Sequence, residues 1–370
     1  MTRLRTSLAL LLLLGCGTLG TETDFPGAIT TSGVGPFRQL ERYETGIPRA
    51  PAGQAVDAHA LFVDSGAAAG GQLFYAAADI LADPPERDAT LPSYAIDWAQ
   101  ADGRGIYRAA SGGFSGTLAG ESVSLPGFAP GERVLSAEQS WEGGEVFDPC
   151  PVMLADGRLR LYYAAAFGIG VAEASAPDAA LTRVGDGPIL APDASTGAGG
   201  TPRSPAVVDL GSEGVLLYYD VGDGVRVARS DDGLSFTPVD TDPSTPAIDP
   251  IYTTTPEPGP DAPTEGIPSM PGATAAITPT GRRVIRLYFE VPEDDGTRIV
   301  SVSASSDGVL FERYGAASFK GDDPGAPRPW LHDDGATLLV SHITRQQGGL
   351  EAGALVLAIT PANRHLADEP

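Results

Sequence analysis

The chain has 370 residues and a formal net charge of −24 at pH 7. An acidic surface argues against nucleic acid as a partner and against attraction to anionic lipid headgroups. The 47 glycines and 33 prolines are spread along the chain, which is typical of many short strands joined by turns.

Residues 1–15, MTRLRTSLALLLLLG, have the pattern of a secretory signal. Two arginines precede an apolar run over residues 8–14, and this run is too short to span a bilayer. The following Cys16 completes Leu13-Leu14-Gly15-Cys16, which resembles the bacterial lipobox. The resemblance implies that Cys16 carries a lipid and anchors the exported chain to a membrane, with an ordinary cleaved signal as the alternative. Because Gly17 follows rather than Asp, analogy with lipoprotein sorting favours the outer membrane.

Three further parts follow the signal. Residues 16–40 are small, polar and without a period, which predicts a flexible tether after the lipidated cysteine. Residues 41–363 form the expected folded region, and residues 364–370 a C-terminal tail. If Cys16 is lipidated, Cys150 has no intrachain partner, so a core rather than disulfides must stabilise the fold. Cys150 itself is expected to be a small buried hydrophobe.

The folded region repeats one pattern, in which an apolar strand, a glycine-containing turn and a second strand rich in aromatic or branched residues follow each other. Five segments have it: HALFVDSGAAAGGQLFYAA (59–77), CPVMLADGRLRLYYAAA (150–166), PAVVDLGSEGVLLYYDV (205–221), GATAAITPTGRRVIRLYFEV (272–291) and PRPWLHDDGATLLVSHI (327–343). Hairpins around Asp-Gly follow three of them, at 96–110, 224–239 and 298–314. Asp-Gly favours a two-residue type I′ turn, in which both central residues have positive φ.

This pattern predicts an all-β fold, a five-bladed β-propeller of four-stranded antiparallel blades. A β-sandwich would also supply short strands, but it does not explain why the Asp-Gly hairpins recur in register with the strand pairs. We expect a monomer that needs no cofactor, and the scattered histidines and carboxylates suggest no metal site.

The residues before each first strand are the first candidates for function, because in a propeller these strands line the central channel. The five stretches are AVDAHAL (55–61), VFDPCPV (146–152), TPRSPAV (201–207), SMPGATA (269–275) and GAPRPWL (325–331). We expect Asp57, Asp148, Arg203 and Arg328 to converge with His59 at one mouth of the channel.

These stretches resemble the five-bladed β-propeller glycosidases of glycoside hydrolase families 43, 32, 68 and 130. The similarity covers residues 41–362 and is clearest in FDPCPVMLADGRLRLYYAA, in VDAHALFV and in the SDDGLSF and SSDGVLF hairpins. It implies a general base at Asp57 and an Asp that tunes pKa and orientation at Asp148. It also implies a glutamic acid in the third blade as proton donor, because inverting hydrolysis uses two carboxyl groups about 6.5–9.5 Å apart.

The third blade departs from the family pattern. Where the family has Glu-Gly-Pro, this chain has Arg203-Ser204-Pro205, and an arginine cannot act as a general acid. Glu265 or Glu145 could supply the missing acid from a loop. Alternatively, the substrate provides its own acid group, or the protein binds a glycan without cleaving it.

The remaining candidates concern the ligand. A guanidinium matches a carboxylate bidentately, so Arg203 and Arg328 favour a carboxylate-bearing ligand, unless they pair with Asp57 and Asp148 instead. Trp141 offers a platform for sugar stacking, and His59 a polar contact. The sequence thus predicts a membrane-anchored, glycosidase-like propeller that engages a glycan at its central channel, with hydrolysis open. The alternative is a non-catalytic surface lipoprotein that binds a protein or polysaccharide through the propeller rim.

Overall fold

The computed structural model describes the parts of the chain that form the sheets and many of their connections. These are residues 38–39, 54–63, 72–79, 104–110, 114–118, 121–125, 131–192, 200–244, 248–251, 267–277, 283–292, 298–313, 324–331, 337–347 and 350–360. Among them, no helix is long and apolar enough to cross a membrane. The only helices of this part are two 3₁₀ turns, Ser140–Glu142 and Gly211–Glu213.

The described residues are otherwise almost all β. The strands, in chain order, are β1 (Arg38–Gln39), β2 (Gln54–Val63), β3 (Gln72–Asp79), β4 (Gly105–Ala110), β5 (Phe114–Leu118), β6 (Glu121–Leu125), β7 (Glu132–Leu135), β8 (Val146–Met153), β9 (Leu159–Ala165), β10 (Gly168–Ala174), β11 (Thr182–Arg183), β12 (Arg203–Asp209), β13 (Val215–Asp220), β14 (Val225–Ser230), β15 (Thr237–Pro238), β16 (Ser269–Ile277), β17 (Arg283–Pro292), β18 (Arg298–Ser305), β19 (Glu312–Arg313), β20 (Pro324–Leu331), β21 (Thr337–Gln347) and β22 (Leu350–Thr360). The prediction of an all-β fold is confirmed.

Twenty of these strands form four-stranded antiparallel sheets. In the order of hydrogen bonding, the first sheet is β2-β3-β4-β7, the second β8-β9-β10-β11, the third β12-β13-β14-β15, the fourth β16-β17-β18-β19 and the fifth β20-β21-β22-β1; β5 and β6 make a separate hairpin. In the fifth sheet the outer strand comes from the other end of the chain, since Arg38 pairs with Ile359 and Gln39 with Ala358. Strand β1 therefore lies within the segment 16–40 that the sequence assigns to the tether.

The first strands of the five sheets lie side by side. Each of β2, β8, β12 and β16 contacts the next first strand in the series, and β20 contacts both β16 and β2. The described first strands thus form a closed ring, and each sheet extends outward from it. Hydrogen bonds near their starts place the beginnings of β8, β12, β16 and β20 at one end of the ring, which we call the mouth.

The second strands β9 and β13 are among the best buried elements of the described structure, because each is covered on both faces by neighbouring sheets. Strand β9 (LRLYYAA) is buried at every residue, and the predicted aromatics Phe74, Tyr162, Tyr218 and Tyr288 are all at most 1% exposed. A continuous apolar run is what such a two-sided environment requires. Each large apolar side chain removed from water contributes about 1.5–3 kcal/mol.

The Asp-Gly hairpins form, but the predicted two-residue type I′ turn is wrong. Strands β14 and β15 are joined by residues 231–236, and of Asp232 and Gly233 only the glycine has positive φ (70°). The side chains explain the longer turn: Asp232 Oδ1 accepts the backbone N–H groups of Leu234 and Ser235 at 2.8 and 2.9 Å. The turn after β18 repeats this arrangement around Asp307. The third predicted Asp-Gly turn, at residues 102–103, lies outside the described residues.

Candidate functional site

Every first strand contains a β-bulge near the mouth. The regular pairing with the second strand is interrupted between Val56 and Ala60, Phe147 and Cys150, Arg203 and Ala206, Ser269 and Gly272, and Gly325 and Arg328. In the first sheet the interruption covers residues 57–59, which include two predicted site residues, Asp57 and His59. Their side chains lie outside the described part of the structure, so their predicted roles stay predictions.

The bulges of the other four sheets share an unusual backbone. Asp148, Ser204, Met270 and Ala326 have φ of 51°, 52°, 50° and 45°, and within the described residues they are the only non-glycine residues with positive φ. Each is followed by proline. This conformation costs about 1–2 kcal/mol per residue, so neighbouring groups must stabilise it.

For three of these four bulges, a carboxylate from the preceding sheet provides that stabilisation. Asp148 Oδ2 accepts the N–H of Ser204 at 3.0 Å and its hydroxyl at 3.2 Å. Asp220 Oδ2 accepts the N–H of Met270 at 3.1 Å, and Glu290 Oε2 accepts the N–H of Ala326 at 3.0 Å. A hydrogen bond to a charged group is worth about 1.5–3 kcal/mol, enough to offset the strain of each bulge.

Asp148 therefore has a visible structural partner. Its side chain is 2% exposed, and its contacts with Ser204 tie the second sheet to the third. Asp220 and Glu290 make equivalent contacts between the third, fourth and fifth sheets, so this use of a carboxylate is not special to Asp148. A catalytic role for Asp148 stays a prediction.

Arg203, which stands in place of the expected glutamic acid, begins β12 at the mouth and is exposed. Its direct partner across the sheet is Asp220, at the end of β13. The third sheet thus has a carboxylate at the mouth, but on its second strand. Sequence reasoning missed Asp220 and Glu290; the available signal was that each directly follows an aromatic pair, in LLYYD and RLYFE.

Arg328 lies at the centre of the ring. It is 2% exposed, and its Nη1 donates to the carbonyl of Pro271, while Nε and Nη2 have no hydrogen-bond partner among the described residues. Burial lowers the pKa of Arg328, and the negative charges of Asp148, Asp220 and Glu290 act in the opposite direction. Arg328 and Asp148 thus interact electrostatically without a direct hydrogen bond between them, and their convergence with the other predicted site residues stays a prediction.

The register of the sheets explains why such a long side chain fits there. Arg328 is the first paired residue after its bulge, and the same position holds Cys150, Ala206 and Gly272 in the second, third and fourth sheets. Each of these residues is much smaller than arginine. Cys150 is buried as expected, and burial raises its pKa to about 11.

Trp141 is packed against the second sheet. Its ring stacks on Tyr163 at a centroid distance of 5.9 Å and covers Gly170, and its Nε1 donates to Gln139 Oε1. The neighbouring Glu142 is fully buried and accepts hydrogen bonds from Arg183, Tyr163 and two backbone N–H groups. Trp141 thus holds the connection between the first two sheets, and its predicted role in sugar stacking stays a prediction.

The other acid candidates are either paired with an arginine or outside the described residues. Glu145 is held bidentately by Arg104, with Nε to Oε2 at 2.8 Å and Nη2 to Oε1 at 3.0 Å. Glu265 and Cys16 fall outside the described residues. In the part of the chain that is described, no three His, Cys, Asp or Glu side chains are grouped so as to hold a metal ion.

One further cleft, of about 560 Å³, lies between β7 and β11 at the outer edges of the first two sheets. Its polar groups largely satisfy each other. Arg183 Nη1 donates to Glu138 at 3.0 Å, and Gln139 Nε2 donates to the carbonyl of Gly185 at 3.1 Å. These side chains of the cleft are thus engaged by groups of the cleft itself.

Neither a family model nor a curated protein matches the chain. Solved structures do match. One is a protein of the GH130 family of mannoside phosphorylases, a family that contains glycoside hydrolases that target β-1,2 mannosidic linkages in Candida mannan. It has a TM-score of 0.56 and 12% identity over 88% of this chain and 94% of that one. A Bacteroides ovatus protein assigned to the glycoside hydrolases has a TM-score of 0.52 and 14% identity over 88% of this chain and 96% of that one. At such low identities the similarity concerns the fold alone, and the fold of this chain is that of the glycoside hydrolase β-propellers.

Proposed function

We propose that the chain is a five-bladed β-propeller that binds a glycan at the mouth of its central ring. The observation that carries this proposal is the convergence of Asp148, Asp220, Glu290 and Arg328, which come from four different sheets. Convergent polar groups in a concave site are what fixes the orientation of a small hydroxyl-rich ligand. The closed ring of first strands supports the number of blades.

Binding fits the described carboxylates better than hydrolysis does. A general acid has to bring a proton within hydrogen-bond reach of the leaving oxygen. Asp148, Asp220 and Glu290 are instead buried, and each accepts a backbone N–H. Arg203 occupies the position that the family resemblance reserves for the acid.

Hydrolysis is the second candidate, and Asp220 is the observation that favours it. Because Asp220 lies opposite Arg203, a carboxyl group is present at the mouth in the third sheet after all. In a hydrolase of this kind Asp220 would donate the proton, and Asp148 would keep its role as modulator.

A screen of the full-length chain in mild detergent tests both candidates. The protein is assayed on a glycan array and on chromogenic glycosides, beside Asp148→Asn, Asp220→Asn and Arg203→Glu. Asp156→Asn is the matched control, because this exposed carboxylate lies in the β8–β9 turn, away from the mouth. Binding without turnover, weakened by Arg203→Glu, supports the proposal. Turnover that is lost in Asp220→Asn and kept in the control replaces it with hydrolysis, and silence in both assays rejects the glycan.

We also propose that Cys16 carries a lipid that anchors the protein to the outer membrane. The support is the lipobox-like sequence around this cysteine. Metabolic labelling with palmitate should mark the chain and its Cys150→Ser variant, but not Cys16→Ser. Sedimentation of the labelled chain with inner rather than outer membranes would contradict the proposed address.

A further inference from the structure

Two described arginines of this chain present the Nε–Nη2 edge of the guanidinium to a carboxylate. Arg104 presents this edge to both oxygens of Glu145, at 2.8 and 3.0 Å. Arg183 does the same to Glu142, at 2.7 and 3.1 Å. Two parallel N–H donors match the two oxygens of a carboxylate, which makes the pairing both strong and directional.

Arg328 has the same edge without a partner in the described structure. Its side chain is almost completely buried, and only Nη1 is used, by the carbonyl of Pro271. An unsatisfied buried donor is unfavourable, and two on one charged group are more so. The guanidinium interacts electrostatically with Asp148, Asp220 and Glu290, which belong to the second, third and fourth sheets. The side chain therefore extends from β20 toward the centre of the ring.

The carboxylates near Arg328 are already engaged. Asp148, Asp220 and Glu290 accept the backbone N–H groups of the three bulges, as described above. Their charge is also balanced, since Arg298 lies 3.5 Å from Glu290 and Arg203 lies opposite Asp220, which with Arg328 gives three cations for three anions. With the positive charge of Arg328 counted, this described set of six charged groups is neutral overall, so it carries no net negative charge that would repel an anionic ligand.

We propose that the Nε–Nη2 edge of Arg328 binds the carboxylate of an acidic sugar, so that the glycan engaged at the mouth carries a uronate-type group. This inference rests on the proposed glycan-binding function and names its ligand class. The sugar carboxylate takes the place at Arg328 that Glu145 and Glu142 take at Arg104 and Arg183. Exposed Arg203, at the start of β12, lies at the mouth through which such a ligand reaches the ring.

Matched pairs of ligands test the inference on the full-length chain in detergent. Methyl glucuronoside is compared with methyl glucoside, and methyl galacturonoside with methyl galactoside, by titration calorimetry. We expect the acidic member of at least one pair to bind about tenfold tighter or more, as the loss of a charge-assisted hydrogen bond implies. Equal binding of acidic and neutral members overturns the inference and leaves the glycan function standing. Binding of none of the four probes or of any array glycan overturns both.

A variant and an ester locate the effect at Arg328. Arg328→Lys keeps the positive charge but has no planar edge of two donors. The affinity for the acidic sugar should therefore fall to about the affinity for its neutral counterpart. Arg104→Lys, the same change at an arginine whose edge is filled, should keep the preference. If Arg328→Lys does not fold, the uronate methyl ester is titrated against the parent protein. Binding of the ester as tight as that of the acid overturns the inference.

Discussion

Gly272→Ala tests how closely the first strands approach each other at the centre. Gly272 lies on β16 directly after its bulge, and an added Cβ would come well within 3.0 Å of the backbone carbonyl oxygen of Pro327 on β20, and 2.7 Å from Pro329 Cδ. Real Cβ atoms essentially never approach other heavy atoms this closely. Because the obstacle is backbone, no side-chain rotation relieves the clash, and β16 and β20 have to separate.

The cost of that separation follows from the contacts that cross the gap. The bond from Arg328 to the carbonyl of Pro271 and the bond from Ala326 N–H to Glu290 both depend on the position of β20. Overpacking costs about 1–3 kcal/mol. Weakening two hydrogen bonds adds about 1–2 kcal/mol. We therefore expect the free energy of unfolding to fall by about 2–5 kcal/mol.

The assay is urea unfolding followed by circular dichroism, with Gly157→Ala as control. Gly157 has φ of 85° in a turn away from the mouth, and no atom lies within 4 Å of its added Cβ. An alanine at this position would lose only the about 1–2 kcal/mol that a side chain costs in a backbone with positive φ. If Gly272→Ala loses no more stability than Gly157→Ala, the first strands are not in the close contact described here.

Three other outcomes follow from buried side chains. Tyr218 donates its hydroxyl to the carbonyl of Gly308 at 2.9 Å, whereas Tyr219 is equally buried and its hydroxyl has no partner among the described residues. In urea unfolding, Tyr218→Phe should therefore lose about 0.5–1.5 kcal/mol, and Tyr219→Phe should lose nothing; equal losses would contradict this assignment. Burial raises the pKa of Glu142, but hydrogen bonds to its carboxylate outweigh this and leave the pKa below its ordinary value of 4.5. A carboxylate whose pKa is lower in the folded than in the unfolded protein stabilises the fold above pH 4.5. This stabilisation is lost as the pH falls through the pKa of the folded protein. Glu142→Gln should accordingly flatten the acid limb of stability below pH 4.5, and an unchanged limb would contradict the shift. Burial raises the pKa of Cys150 to about 11, so iodoacetamide at pH 8 should alkylate this thiol only in denaturant, as mass spectrometry would show.

Local sequence predicted the elements well, because short buried strands and turns leave local signals. The aromatic ends of the second strands at Tyr162, Tyr218 and Tyr288 lie where the repeat indicated. The type I′ prediction was wrong because the pattern Asp-Gly says nothing of serine and aspartate side chains that cap a longer turn. The Ser230 hydroxyl oxygen accepts the N–H of Gly233 at 2.9 Å. This contact depends on a serine three residues before the glycine, which the two-residue pattern Asp-Gly does not include.

The centre of the ring could be predicted only in part, because it depends on register between distant strands. The stretches that hold Asp148, Arg203 and Arg328 were identified because each precedes or opens a first strand. Asp220 and Glu290 were missed because their importance depends on bulges in the following sheets, about 50 and 36 residues further along the chain. The burial of Arg328 was likewise not evident, since it depends on groups of three other sheets that lie near its guanidinium.

The same bulges decide how a substitution of Asp148 has to be read. In Asp148→Ala the Ser204 N–H loses its acceptor, so we expect a loss of about 1.5–3 kcal/mol in stability together with any loss of function. Asp148→Asn keeps a carbonyl oxygen that can accept the same N–H, so it should lose much less stability while removing the charge near Arg328. Ligand binding or turnover that fails in Asp148→Asn, at nearly full stability, would assign Asp148 a role in function. Function that fails only in Asp148→Ala, in proportion to lost stability, would mean that this carboxylate, like Asp220 and Glu290, serves the backbone of the next sheet.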